Sequence, residues 1–197
     1  LKFLSRIHTP NDCLNTFDFA RNANFKNINI DLIFNIPGQS LKTWQSDLNN
    51  IIQLDPEHIS CYSLTVEKNT PLYAKVHNGL ISMPTEKLDL EMFEFARYLL
   101  NSNQYNHYEI SNYSLKNKYC LHNLHYWNLD SYLGFGPSAH EYDGKIRSWN
   151  IKSLNKYLDK LANNQLPIEG FETLSKIDQF NEIIFNGLRT RKGIKIK

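Results

Sequence analysis

Residues 27–40 read NINIDLIFNIPGQS and residues 58–66 read HISCYSLTV, and these two stretches decide the fold. In the first, Ile28, Ile30, Leu32 and Phe34 alternate with Asn27, Asn29, Asp31 and Ile33. Period-two alternation of this kind predicts a strand, and it puts Asp31 on the less apolar face. NIPGQS then turns the chain. Ser40 is placed to cap a helix whose apolar stripe is Leu41, Trp44, Leu48, Ile51 and Ile52. DPEH ends that helix, and HISCYSLTV is a second run of β-branched and aromatic residues. Residues 27–66 therefore predict strand, helix, strand with short connections, the βαβ unit of a parallel sheet with a right-handed crossover. The fold class is α/β, as a sheet or a barrel. Ligands in such folds bind beyond the carboxyl ends of the strands. The loop after Phe34, the end of CYSLTV and the segments following HYEIS are the places to expect chemistry.

Upstream, Thr9-Pro10 with Asp12 carries helix-start chemistry, and Cys13, Leu14, Phe17 and Ala20 continue at helical spacing. Downstream, EKNTPLY reads as a loop. PTEKLDLEMFEFARYLLNSN reads as a helix with Leu88, Met92, Phe95 and Leu99 on one face, and HYEISNY as one short strand. Residues 113–150 are rich in aromatics and turn residues, with a hairpin expected at Asp143-Gly144. Residues 151–162 and 173–188 are expected to form two further amphipathic helices. There is no internal repeat.

The 197 residues carry 22 Lys plus Arg against 20 Asp plus Glu, a formal charge of +2. No strong basic field is present, so nucleic acid is excluded as a partner class. Three widely separated cysteines, Cys13, Cys61 and Cys120, suit a reducing cytoplasm better than a disulfide scaffold or a zinc ribbon. No run approaches the roughly 20 apolar residues of a membrane span, and the first residues lack a secretory pattern. The chain opens on LKFLSRIHTP without Met and stops on GIKIK, so it is expected to be a segment of something longer.

Residues 120–127, CLHNLHYW, concentrate soft metal ligands (Cys120, His122, His125) beside two flat aromatics, Tyr126 and Trp127. From the residues alone, two readings stand. They form a ligand-facing segment, or the aromatics are core and the histidines are ordinarily hydrogen-bonded. A zinc site would also need His140 or His107, without the paired spacing that marks one. Asp31 is similarly open between a structural acid and a carboxylate that accepts from a ribose diol. LGFGPSAH, 133–140, could wrap backbone around a ligand through its glycines, but it matches neither dinucleotide nor Walker phosphate loops.

Taken together and in order, NINIDLIFNIPGQS, CYSLTVEKNTP, HYEISNY, C-x-HNLHYW and LGFGPSAH resemble the HemW haem chaperones. These are a branch of the radical SAM proteins close to oxygen-independent coproporphyrinogen III oxidase. The resemblance implies a partial (β/α) barrel over residues 1–150, holding the HNxxYW segment, and the start of a smaller, mainly helical C-terminal domain over 151–197. It implies S-adenosylmethionine (SAM), a [4Fe-4S] cluster and haem as cofactors, and haem-accepting haemoproteins, including those at the membrane, as partners. Carried over position by position, it implies SAM contacts at Arg6, Asp31, Thr65 and His140. Haem contacts are implied at His122, Asn123, Tyr126 and Trp127, with His122 the iron ligand. The family's cluster motif C-x3-C-x2-C is not in this chain, so catalysis by the segment itself is not implied. Asn35 stands where the family usually has Gly, and Ser138 and Glu141 replace commoner neighbours of Ala139-His140. Two other readings accompany this one, an oxidase decarboxylating coproporphyrinogen III by radical chemistry and an inactive remnant.

Overall fold

The structure is a computed structural model in which residues 1–194 are described. Chain contacts divide it into two compact units, Leu1–Tyr119 and Cys120–Lys197. Residues 195–197 of the expected C-terminal domain lie outside the described residues.

The first unit begins with a short 3-10 turn and helix α1 (Pro10–Asn22). Thr9 caps α1 through a reciprocal box. Its hydroxyl accepts from the Asp12 amide, and the Asp12 carboxylate accepts from the Thr9 amide at 2.7 Å. Strand β1 (Asn29–Phe34), helix α2 (Leu41–Gln53) and strand β2 (His58–Ser63) follow as the sequence predicts. β1 and β2 are parallel, with Asn29 opposite His58 and Phe34 opposite Ser63. The Ser40 hydroxyl accepts from the Thr43 amide and caps α2.

Two segments of the first unit differ from the sequence expectation. EKNTPLY is not all loop: Thr70 caps helix α3 (Pro71–His77). The Thr-Pro pair there is the same start chemistry that marks α1. Helix α4 (Glu86–Ser102) is as expected, but HYEISNY makes two strands, β3 (Asn106–Glu109) and β4 (Asn112–Ser114). The Glu109 carboxylate accepts from the Ser111 amide at 2.9 Å, and this local bond turns the chain where side-chain alternation alone shows no break. The sheet order is β1-β2-β4-β3, and β4 runs antiparallel to β2.

The pleat divides this sheet chemically. On one face Phe34, Ile59, Cys61 and Tyr113 pack with Trp44 and Leu48 of α2 and Met92, Ala96 and Leu100 of α4. The Trp44 indole donates to the Met92 carbonyl at 3.0 Å and ties the two helices together. The opposite face carries Asn29, Asp31, His58, Ser60, Asn112 and Ser114. Opposed residues share a face in this register, so the polar side chains collect on one side.

The second unit holds helix α5 (Leu121–Trp127), strands β5 (His140–Tyr142) and β6 (Ile146–Asn150), helix α6 (Leu154–Ala162), strand β7 (Ile168–Thr173) and helix α7 (Lys176–Arg189). The β5–β6 hairpin turns at Asp143-Gly144 as expected. Asp143 Oδ1 accepts from the Lys145 and Ile146 amides, and Gly144 takes φ +102°. β7 has no counterpart in the sequence reading. Its Gly170 leaves room for the Trp149 ring, which would lie 2.6 Å from a Cβ there, so part of what holds β7 to β6 is a missing side chain. Residue 150, the boundary expected from the sequence, ends β6, and β7 of the same sheet lies beyond it. No helix among the described residues is long and apolar enough to cross a membrane.

Trp44→Phe keeps most of the apolar contact but removes the indole donor and leaves a void. It is expected to cost about 2 kcal/mol, read from the urea midpoint. His58 supplies a pH prediction. It is buried, and desolvation pushes its pKa from 6.5 down to about 4, with Asp31 opposing weakly. The folded state therefore disfavours the imidazolium, and the unfolded chain binds the extra proton between those values. Stability from this group is complete above about pH 6.5 and falls as the pH drops toward about 4. His58→Asn should flatten that limb of the stability profile.

Candidate functional site

On the polar face of the first unit, Asp31 is exposed and its Oδ1 accepts from Asn29 Nδ2 at 2.7 Å. Asn29 Oδ1 lies 2.6 Å from His58 Nδ1 and accepts from the Ser60 hydroxyl at 3.2 Å. His58 Nε2 lies 2.7 Å from the Tyr108 hydroxyl. Five side chains from β1, β2 and β3 are thus joined by hydrogen bonds, with Asp31, Asn29, His58 and Tyr108 in a row and Ser60 beside it. Asp31 was visible in the sequence, and Asn29 lies two residues before it on β1, but His58, Ser60 and Tyr108 were not foreseen as partners, because they come from strands far away in the chain. The turn after β1 places Asn35 at φ +61°, a conformation Asn tolerates better than most residues, so it can serve where Gly would. Its amide donates to the Ser63 hydroxyl at 3.2 Å, which donates to Asp89 at 2.8 Å.

Beyond the carboxyl ends of β1 and β2 lies a cavity of about 300 Å³. Arg6, Ile33, Thr65, Glu67, Thr70 and Lys75 are among its lining residues. Two of the positions singled out in the sequence, Arg6 and Thr65, are brought together here. Asp31 does not line this cavity. It lies two residues before Ile33, on the same face of β1. Glu67, Thr70 and Lys75 are additions that follow from the unforeseen α3.

In the second unit His140 opens β5, with its ring tilted over Trp149 at 5.9 Å between centroids. The glycines of LGFGPSAH have an internal use. A Cβ on Gly134 would lie 2.4 Å from the His140 carbonyl oxygen. The Asn150 amide donates to both Gly134 O and Gly136 O, at 3.0 and 3.1 Å. At Gly134 the close approach is therefore to the chain's own backbone. Ser138, one of the departures noted above, sits at φ +60°.

CLHNLHYW becomes the short helix α5, with Cys120 at its N-cap. His122 is exposed and Tyr126, one turn on, is half-buried. Their side chains meet, with Nε2 3.2 Å from the hydroxyl and the rings edge to face at 5.0 Å. Tyr126 in turn meets Tyr132 edge to face at 4.7 Å. His125 pairs with Asp130 through Nδ1 at 2.8 Å. Trp127 points elsewhere: the Arg189 guanidinium of α7 lies 4.3 Å from its ring centroid, and its indole nitrogen is buried without a hydrogen-bond partner among the described residues. Asn123 is half-buried within the same helix. The segment is divided, with His122 and Tyr126 forming one helix face and Trp127 packed on another.

Among the described residues no group of three or more His, Cys, Asp or Glu could hold a metal ion. Cys61 lies in the core with its thiol pKa driven well above the ordinary range by burial, while Cys13 is exposed on α1. These cysteines are suited to packing and surface positions, and they do not make a cluster ligand set.

No protein-family model matches the chain. Curated relatives match it along its whole length. It is 34% identical to the haem chaperone HemW of Bacillus subtilis and 35% identical to that of Lactococcus lactis, in each case over all of this chain and 52% of the relative. It is 30% identical to a mitochondrial radical S-adenosyl methionine domain-containing protein 1 of Danio rerio, over 98% of this chain and 46% of that protein. Among solved structures, the coproporphyrinogen III oxidase HemN of Escherichia coli, described as a radical SAM enzyme, shares the fold. The TM-score is 0.75 over 96% of this chain and 46% of that one, at 17% identity. The chain spans about half the length of the curated relatives it matches; in sequence it is similar to the HemW haem chaperones along its whole length, and it shares the fold of HemN.

Proposed function

We propose that this chain is the haem-handling and SAM-contacting portion of a HemW-type haem chaperone acting in the cytoplasm, which binds haem and passes it to haemoproteins, including those at the membrane. The observation that carries the reading is the His122–Tyr126 pair on one face of α5. A haem site offers the iron a donor side chain, of which imidazole is a common one, and surrounds the ring with aromatic or apolar walls. His122 would supply the axial nitrogen. Tyr126 would turn its hydroxyl away from Nε2, or leave Nδ1 as the ligating atom, and offer its ring as a wall. Asn123 and Trp127 would support the segment from within, with Trp127 anchored beneath Arg189. Leu121, Leu133 and Phe135 of the same unit are exposed apolar side chains of the kind a porphyrin edge covers.

In the first unit SAM would be held through Arg6, Asp31 and Thr65. Arg6 would pair with the methionyl carboxylate, Asp31 would accept from a hydroxyl or amino group, and Thr65 would add mainly backbone and packing contacts. Bound SAM supplies a reactive sulfonium. Cys13, Cys61 and Cys120 are not a ligand set for the [4Fe-4S] cluster of the family, and the part of Arg6, Asp31 and Thr65 would be to bind and orient the cofactor.

Haem titrated into the chain should give a shifted Soret band. In His122→Ala the band should move and the affinity fall roughly tenfold or more. An unchanged spectrum and affinity in that variant would remove His122 from the site. For the second cofactor, calorimetric titration of SAM should show roughly tenfold weaker binding in Arg6→Ala. Equal affinity would exclude Arg6 as the carboxylate partner.

A further inference from the structure

The row Asp31–Asn29–His58–Tyr108 has only one consistent direction. A carboxylate only accepts, so the Asn29 amide must present Nδ2 to Asp31 and turn Oδ1 toward His58 and Ser60. At 2.6 Å from that oxygen, His58 Nδ1 must carry a proton. A neutral ring then leaves Nε2 as an acceptor, and the Tyr108 hydroxyl at 2.7 Å is its donor. Burial supports the neutral form, since the pKa of His58 is lowered to about 4. Each group has one role, and at the buried His58 and Tyr108 reversing it would leave two donors or two acceptors facing each other away from water.

The inner end of the row is packed. His58, Ser60 and Tyr108 are buried, and the Tyr108 ring leans on Tyr119 at 4.7 Å between centroids. Asp31, at the far end, is the exposed carboxylate, and the row engages only its Oδ1. Buried groups of this kind hold a liganding side chain in one rotamer, so that a ligand's donor meets an acceptor already in place.

We propose that His58 is a positioning residue for Asp31. Acting through the Asn29 amide, and oriented from behind by the Tyr108 hydroxyl, it holds the Asp31 carboxylate ready for a hydroxyl or amino donor of a nucleoside-bearing cofactor. The proposal rests on the reading of Asp31 as a SAM-contacting carboxylate. His58 itself touches no ligand in this scheme.

Two measurements on the 197-residue chain test it. Long-range proton–nitrogen NMR should find His58 in a single neutral tautomer with the proton on Nδ1. A proton on Nε2 overturns the relay whatever the chain binds. SAM titrations then form a double-mutant cycle. His58→Leu should weaken SAM binding roughly tenfold, whereas His58→Asn, whose amide can stand in for the Nδ1 donor, should stay within about threefold of the parent. Joined to Asp31→Ala, His58→Leu should add nothing further, and full additivity would mean that His58 acts independently of Asp31 and would overturn the proposal. Should His58→Leu fail to fold, Tyr108→Phe, which removes only the orienting hydroxyl, is read in the same cycle, with a loss of about threefold expected. No SAM binding by the parent, or equal binding by Asp31→Ala, overturns the reading of Asp31 and with it the ligand half of the proposal. The tautomer result separates that failure from failure of the relay.

Discussion

The parallel register between β1 and β2 governs the first unit. It sets Asn29 against His58, Asp31 against Ser60 and Phe34 against Ser63. With side chains alternating along each strand, this pairing sends Phe34, Ile59 and Cys61 under α2 and α4 and leaves a row of polar groups on the other face. A slip of one residue would exchange the two faces and bury Asp31 and His58 among Trp44, Leu48 and Met92, at a cost no hydrogen bond there could offset. The register is therefore held by the core on one side and by the Asn29–His58 bond on the other. One arrangement of backbone both closes the core and assembles the candidate site.

The second unit follows a different economy. Its antiparallel strands are paired locally, and its stability draws on ionic and aromatic contacts. Arg147 bridges Glu172 and Glu182 and lies over the Tyr142 ring, while Arg189 covers Trp127. Helix α7 turns Glu182 and Arg189 toward these partners, whereas Ile177, Phe180 and Leu188 are exposed. Packing α7 by its polar side leaves α5 supported through Trp127, with His122 and Tyr126 still at the surface. This arrangement separates the anchoring half of HNLHYW from the half that can meet a ligand.

Much of this was legible in the sequence because it depends on local chemistry. The alternation of NINIDLIF and the stripe Leu41, Trp44, Leu48 are backbone periods that persist in any context, and the cap at Thr9 and the Asp143-Gly144 turn are short-range bonds. Asp31 stood out as an acid in an apolar strand, and Asn35 as a residue tolerant of positive φ. The α3 start at Thr70-Pro71 could have been read by the rule that found α1. The division of HYEISNY into two strands could not be read from alternation, because it turns on a carboxylate reaching an amide two residues away.

The sequence by itself determined the βαβ order, the apolar stripes, the family that the motifs resemble and the two segments where chemistry concentrates. Only the tertiary structure decided which of those residues meet. Arg6 and Thr65 share a cavity because a turn near the N-terminus reaches the carboxyl ends of β1 and β2. Asp31 acquires His58 and Tyr108 because parallel and antiparallel pairing bring β1, β2 and β3 into one sheet. Trp127 leaves its neighbours in HNLHYW because adjacent residues on a helix point about 100° apart, and Arg189 waits on only one of those directions. Pattern shows which face a residue belongs to, but which partners occupy that face is set by pairings between distant segments, and a single sequence carries no local trace of them.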